Sequence, residues 1–105
     1  MSTRFIFVLS ASLLFSGNAF ADDGAALMKK NNCGTCHQTD KKTVGPALKA
    51  IAEKYKGDAA AADKLVAKVR KGGSGSFGAM AMPATPAKVN DGDIKTMVDA
   101  ILATK

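Results

Sequence analysis

The sequence predicts an all-α protein with about four helices. Apolar residues recur at spacings of three and four positions in several stretches, as on one face of a helix. Glycine, proline and asparagine residues mark the ends of these stretches, where helices commonly begin or stop. No stretch alternates apolar and polar residues as a half-buried strand does. Helices with long connections are therefore the expected architecture.

The first 21 residues have the pattern of a secretory signal peptide. Arg4 precedes an apolar run over residues 5–15, and an Ala-Phe-Ala tripeptide ending at Ala21 supplies a signal peptidase site. The run is too short to span a membrane as a helix, although an uncleaved anchor is the alternative. We expect a cleaved signal peptide (1–21), one mature domain (22–105), export to the periplasm and no membrane span after cleavage.

The first predicted helix lies directly before the two cysteines. Asp22 and Asp23 can cap its start, and Asn31 and Asn32 follow its last good helix formers. Its inward residues are Leu27 and Met28.

The second predicted helix starts at Pro46, whose fixed φ suits a first turn, and ends at Gly57. The third follows a run of alanines and stops at Gly72 and Gly73. These two helices carry apolar faces at helical spacing: Leu48, Ile51, Ala52 and Tyr55, then Leu65, Val66 and Val69.

The fourth predicted helix has the clearest signals. Asn90 is a good N-cap, and Asp91 and Asp93 place negative charge in the first turn. A regular apolar stripe follows: Ile94, Met97, Val98, Ile101 and Leu102.

The chemistry-bearing motif is Cys33-Gly34-Thr35-Cys36-His37, the attachment pattern of a c-type haem. Two thiols at this spacing can each bond one vinyl group of a single porphyrin, and His37 can then ligate the iron. With only two cysteines, three positions apart, a disulfide would constrain little of the chain. A covalent haem c better explains how so small a domain gains a core.

A second iron ligand is expected from the loop at residues 74–89. His37 is the only histidine, so methionine is the usual remaining choice. Met28 precedes the haem motif and is expected on the wrong helix for this ligand, and Met97 fits the core stripe of the last predicted helix. Met82 is preferred over Met80, because Pro83 favours an extended residue before it. Met80 remains the alternative.

The mature sequence resembles the small monohaem class I cytochromes c of bacteria, especially the cytochrome c-551 type. The resemblance covers the haem motif, the Val-Gly-Pro-Ala segment at residues 44–47, the Gly-rich link, Met82-Pro83 and the terminal helix. It implies the cytochrome c fold, with His37 and Met82 as axial ligands. It also implies that the Pro46 carbonyl accepts a hydrogen bond from the His37 ring, and that the first and last helices cross near the haem.

Two residues depart from that family. Phe77 stands where many relatives carry a tryptophan that donates to a haem propionate, and Lys68 falls where an arginine is common. Lys68 or Arg70 are the candidates for the propionate.

The predicted function is electron transfer and not enzyme catalysis. An iron with both axial positions filled has no open site, and a methionine thioether raises its potential. The expected partners are an upstream cytochrome complex, a terminal reductase or oxidase, and the haem maturation machinery. We expect a monomer. Lys41 and Lys42 are candidates for a basic docking rim.

Other functions have less support. A thiol–disulfide oxidoreductase would use Cys33 and Cys36, but the sequence lacks a βαβ pattern. A zinc module would be one ligand short. A haem ligand sensor or peroxidase would require a labile methionine bond. The net charge of +6 is spread over scattered lysines without interleaved aromatic residues, so nucleic-acid binding is not expected.

Overall fold

The computed structural model of the chain describes residues 19–105. Its helices are α1 (Ala19–Lys30), α2 (Leu48–Lys54), α3 (Ala61–Lys71) and α4 (Asp91–Leu102), with a 3₁₀ turn at Cys33–Thr35. Within this part of the chain no strand forms, and the only ladder-like contacts are two isolated backbone bridges. The predicted all-α architecture of about four helices is confirmed.

The predicted signal peptide falls mostly outside the described residues, since these begin at residue 19. Residues 19–21 form the start of α1, so the helix begins before Asp22. The predicted helix start at Asp22 is wrong, because Ala19 and Ala21 are good helix formers and Phe20 between them does not break a helix. Among residues 19–105 we find no helix with the length and apolar character needed to cross a membrane.

The core forms around α4, which packs on α1, α2 and α3 and most extensively on α1. Ile94, Met97 and Val98 are buried almost completely. A Cβ atom at Gly24 of α1 would overlap the Ala100 side chain and lie 2.8 Å from the Thr96 carbonyl oxygen. Glycine at this position therefore sets how closely the first and last helices approach.

The start of α2 is fixed by tertiary hydrogen bonds. The Leu48 N–H donates to the Gln38 carbonyl at 2.8 Å, and the Lys49 N–H donates to Thr39 at 3.1 Å. These bonds satisfy donors that a side-chain cap would otherwise serve. The helix thus begins two residues after Pro46, and the predicted start at Pro46 is wrong.

Two other helix ends differ in how well they were predicted. α2 ends at Lys54, before Gly57, which instead completes a following turn with φ 79°. The predicted N-cap of α4 is confirmed: the Asn90 Oδ1 atom accepts the Asp93 N–H at 2.7 Å. This cap involves only residues three positions apart, so the sequence alone is enough to predict it.

Candidate functional site

A cleft of about 450 Å³ collects the residues that the sequence singled out. Its volume lies in the usual range for cofactor sites. Its lining is mostly apolar, with contributions from all four helices, and it includes each candidate attachment or ligand residue: Cys33, Cys36, His37, Pro46, Met80 and Met82. Two segments face this cleft with donor atoms. We call residues 33–46 the His37 wall and residues 72–86 the Met82 wall.

The His37 wall begins with the 3₁₀ turn. Asn32 enters the turn at φ 61°, in the left-handed region that asparagine tolerates. The Cys36 and His37 N–H groups both donate to the Cys33 carbonyl, at 3.1 and 2.9 Å. These bonds hold both half-buried thiols at the lining of one cleft. A single flat group can therefore meet both sulfurs.

The His37 ring is held from behind. Its Nδ1 atom lies 2.8 Å from the Pro46 carbonyl oxygen, which accepts when Nδ1 carries the proton. With Nδ1 protonated, Nε2 keeps a free lone pair and can act as a metal ligand. A Cβ at Gly45 would lie 2.7 Å from the ring Cε1, so the glycine lets the backbone close against the imidazole. We did not identify Gly45 as a packing residue from sequence, since a lone glycine in a loop carries no such signal.

The carbonyl of Cys36 ties this wall together. It accepts the Gly45 N–H at 2.8 Å and the Thr43 hydroxyl at 2.7 Å. The loop after the motif is thus closed onto the motif itself. The position of Pro46 relative to His37 follows from this closure.

Burial raises the pKa of the Cys33 thiol; a backbone hydrogen bond offsets part of this rise, and the proximity of Cys36 adds a smaller one. A catalytic cysteine normally shows the opposite shift, because the thiolate is its reactive form. The surroundings of the half-buried Cys33 thiol therefore do not favour an activated thiolate.

The Met82 wall rests on the end of α3. Met82 and Gly73 exchange two backbone hydrogen bonds, each 2.9 Å long. Further along, the Thr85 N–H donates to the carbonyls of Val69 and Arg70 at 3.2 and 3.3 Å. Met82 is half-buried, whereas Met80 is 70% exposed. The pairing with Gly73 therefore distinguishes two methionines that the sequence could only rank.

Gly72 is a second residue whose role we missed. Its φ of 68° and ψ of −155° lie in a region open essentially to glycine. A Cβ there would overlap the Met82 carbonyl oxygen and lie 2.8 Å from the Ala84 nitrogen. One glycine is enough to end a helix. The presence of two, Gly72 and Gly73, was the sequence signal that could have indicated a close backbone contact here.

Lysines hold the glycine-rich link at residues 74–78. The Lys54 ammonium lies 4.5 Å from the centroid of the Phe77 ring and also donates to the Ser76 carbonyl. Lys68 lines the cleft and donates to the Ser74 carbonyl at 3.3 Å. Arg70, the other propionate candidate, is not among the lining residues and instead binds the segment before α4.

The basic residues at the cleft differ in part from those expected. Lys41 and Lys42 are exposed on the loop after the motif, as a docking rim requires. Lys30 and Lys88 also line the cleft, although the sequence did not mark them out. Lys30 lies three residues before Cys33, whereas Lys88 is distant from the motif along the chain and reaches the cleft only through the fold.

The donor set fits a covalently held haem. One apolar cleft contains two thiols, one imidazole and, on a separate segment, the methionine thioethers. The Nδ1 atom of the imidazole is hydrogen-bonded to the Pro46 carbonyl. Within residues 19–105 no group of three or more His, Cys, Asp and Glu side chains is placed to hold a bare metal ion. An apolar cleft with a few convergent donors suits a large flat ring that brings its own iron.

Comparisons with known proteins agree with this chemistry. The family model described as Cytochrome c matches residues 21–105. Cytochrome c-552 of Nitrosomonas europaea is 46% identical over 106 residues, covering 100% of both chains. Cytochrome c-551 of Azotobacter vinelandii is 40% identical over 84 residues, covering 80% of this chain and 100% of its own.

Solved structures show the same likeness. The crystal structure of wild-type Nitrosomonas europaea cytochrome c552 matches with a TM-score of 0.73 at 48% identity, covering 77% of this chain and 99% of its own. The class 1 cytochrome MtoD of Sideroxydans lithotrophicus ES-1 matches with a TM-score of 0.70 at 36% identity, covering 79% and 94%.

Proposed function

The chain belongs to the cytochrome c family, and on that premise we propose that it is a periplasmic carrier of single electrons between respiratory redox proteins. Family membership confirms the predicted resemblance to small class I cytochromes c, the cytochrome c fold and one covalent haem c. The observation that carries the proposal is the shared cleft, which brings both cysteines, His37 and Met82 together.

In this proposal Cys33 and Cys36 form the two thioether bonds to the haem, and His37 and Met82 are the axial ligands. The Pro46 carbonyl, 2.8 Å from Nδ1, fixes the tautomer and orientation of the His37 ring. The half-burial of Met82 and its pairing with Gly73 support it over the exposed Met80. Met80 is the alternative ligand.

The haem supplies a one-electron iron couple. The chain's part is to fill both axial positions, so that no position stays open for oxygen or substrate, and to keep the ring in an apolar cleft. A thioether ligand and low polarity around the iron both favour the ferrous form and raise the potential. These features support electron transfer over oxygen chemistry.

The surface charge supports partners that carry acidic patches. Lys41, Lys42, Lys30 and Lys88 lie on or near the cleft, within a chain of net charge +6. Such charges increase association rates and make binding sensitive to salt. We propose small, short-lived complexes of a monomer with an upstream cytochrome complex and a terminal reductase or oxidase. The signal-like residues 1–21 support the periplasmic location.

The alternative of a thiol–disulfide oxidoreductase has an observation against it. Burial raises the pKa of the Cys33 thiol, which disfavours the thiolate that such an enzyme needs.

The test is to purify the protein from a host that matures c-type cytochromes and to follow the haem. We expect a red protein whose haem survives acid–organic extraction, whose ferrous form does not bind carbon monoxide, and which exchanges electrons reversibly with a redox mediator. A colourless product with a titratable dithiol would overturn the haem assignment. Rapid carbon monoxide binding would instead indicate a ligand-binding haem protein.

A further inference from the structure

We propose that Arg70 is a positioning residue that holds the Met82 wall closed, and so sets how easily Met82 leaves the iron. This inference rests on the proposed function, because it takes Met82 as the axial ligand. It concerns a residue for which the sequence suggested only a possible contact with a propionate.

The Arg70 guanidinium joins three parts of the chain. From the end of α3, its Nη2 atom donates to the Val89 carbonyl at 2.6 Å and to the Asp91 carboxylate at 2.7 Å. Its Nε atom reaches the same carboxylate at 3.2 Å. The Arg70 side chain is 27% exposed and the Asp91 side chain 85%, so the part-buried bond to the Val89 carbonyl is better shielded from water than the ion pair.

The same guanidinium also binds the loop itself. Its Nη1 atom donates to the Pro86 carbonyl at 3.2 Å and to the Thr85 carbonyl at 3.5 Å. The backbone carbonyl of Arg70 accepts the Thr85 N–H. Arg70 therefore binds the loop through both its main chain and its side chain, three residues beyond Met82.

The loop around Met82 has one anchor on each side. The first anchor is the pair of backbone hydrogen bonds between Met82 itself and Gly73. After Met82, the anchor is the set of bonds made by Arg70. Between them Pro83 and Ala84 are exposed residues, and their backbone lies against Gly72. Loss of the Arg70 side chain would leave the far end held only by the Thr85 N–H, which donates to the carbonyls of Val69 and Arg70.

Arginine suits this role better than lysine. The planar guanidinium carries five donors in a fixed fork, and here it meets four acceptors on separate residues. A lysine ammonium has three donors and no fork. Arg70→Lys should thus keep the ion pair with Asp91 while losing part of the grip on the carbonyls.

The test measures displacement of the methionine by imidazole in the ferric holoprotein at a temperature far below unfolding. Imidazole binds only when the axial methionine has left. We expect Arg70→Gln to bind imidazole about tenfold more tightly than the parent, because charged hydrogen bonds to the loop are lost. Arg70→Lys should fall between the two. The exposed Lys71→Gln removes the same charge one residue away and should leave the affinity unchanged.

Amide hydrogen exchange of the holoprotein gives a second readout. Thr85 should exchange faster in Arg70→Gln, while Cys36 and His37 keep their parent rates. Loss of thermal stability in Arg70→Gln or Arg70→Lys with an unchanged imidazole affinity would overturn the proposal, since Arg70 would then be merely structural. Met82→Ala distinguishes a failure of this inference from a failure of the ligand assignment. If Met82→Ala leaves the imidazole affinity unchanged, Met82 is not the ligand.

Discussion

The two walls of the cleft are built in different ways. The His37 wall is closed by hydrogen bonds between residues no more than ten positions apart, such as His37 to Pro46 and Gly45 to Cys36. The Met82 wall has such a pair between Gly73 and Met82, but its far end depends on bonds from Thr85 to Val69 and Arg70 of α3. Local opening is easiest where few buried contacts oppose it. The Met82 wall should therefore yield before the His37 wall.

The largest expected effect comes from Gly72, at the base of the Met82 wall. Gly72→Ala forces a side chain into a glycine-only conformation and against the backbone of residues 82–84. We expect a loss of about 3 kcal/mol in the free energy of unfolding, measured by denaturant titration of the holoprotein. The absorption that reports the iron–thioether bond should weaken as well.

The matched control is Gly57→Ala. Gly57 also has a positive φ, of 79°, but no atom lies within 4 Å of an added Cβ. Gly57→Ala should lower the free energy of unfolding by only about 1 kcal/mol, from backbone strain, and leave the iron–thioether absorption intact. Equal losses in the two variants would contradict the contact between Gly72 and the Met82 segment.

On the His37 wall, the Cβ of Gly45→Ala presses mainly on the His37 ring, and the nearest backbone atom, the Cys36 carbonyl oxygen, lies 3.2 Å away. The ring can shift, so we expect a smaller loss of about 2 kcal/mol. A shifted ring weakens the bond from Nδ1 to Pro46, which makes the imidazole less basic. Since a basic ligand favours ferric iron, the midpoint potential measured by redox titration should rise. A potential that stays at the parent value in Gly45→Ala would rule out this coupling.

The far end of the Met82 wall leads into α4 through its N-cap. Asn90→Ala removes the acceptor for the Asp93 N–H and should cost about 1 kcal/mol of unfolding free energy. Asn90→Ser should restore most of that loss, because serine can cap a helix in the same way. Thermal unfolding of the three proteins checks this, and an Asn90→Ser protein as unstable as Asn90→Ala would mean that the cap is not what stabilises α4.

The smallest effect is expected at the start of α3, away from both walls. The Asp58 carboxylate accepts from Lys64 at 2.8 Å and from the Ala60 N–H, and the hydrogen bond with Lys64 is the main cause that lowers the pKa of Asp58. A lowered folded-state pKa stabilises the protein above the unfolded-state value of about 3.9 and ceases to do so as the pH falls through the folded value.

Asp58→Asn should therefore be slightly less stable than the parent at neutral pH, and the difference should shrink in acid. Stability measured against pH for the parent, Asp58→Asn and Asp63→Asn tests this. Asp63 lies in the first turn of the same helix and gives the same change in charge. A difference that grows as the pH falls would have the wrong sign for this account.

The walls also differ in how far the sequence could predict them. The thiols and His37 are contiguous, so their shared placement follows from local geometry. The apolar stripe and cap of α4 were likewise readable, because both depend on residues within a few turns. Met80 and Met82 could be ranked but not separated by contacts, since the pairing of Met82 with Gly73 closes an irregular loop whose course the sequence pattern does not indicate.

The errors at helix ends have the same origin. α2 starts after Pro46 because the carbonyls of Gln38 and Thr39 meet its first donors, and these contacts exist only once the chain has folded. Gly24 in α1 looks unfavourable by helix propensity alone. Glycine is required there because α1 crosses α4 at this residue, and the sequence of α1 alone does not show that crossing.

The most direct test of the central claim compares Met82→Ala with Met80→Ala in the ferric holoprotein, through the long-wavelength absorption that an iron–thioether bond produces. The account predicts that Met82→Ala loses this band and lowers the midpoint potential, whereas Met80→Ala keeps both near the parent values. A band that survives in Met82→Ala and disappears in Met80→Ala would contradict the proposed ligand and the role given to the Gly73 pairing.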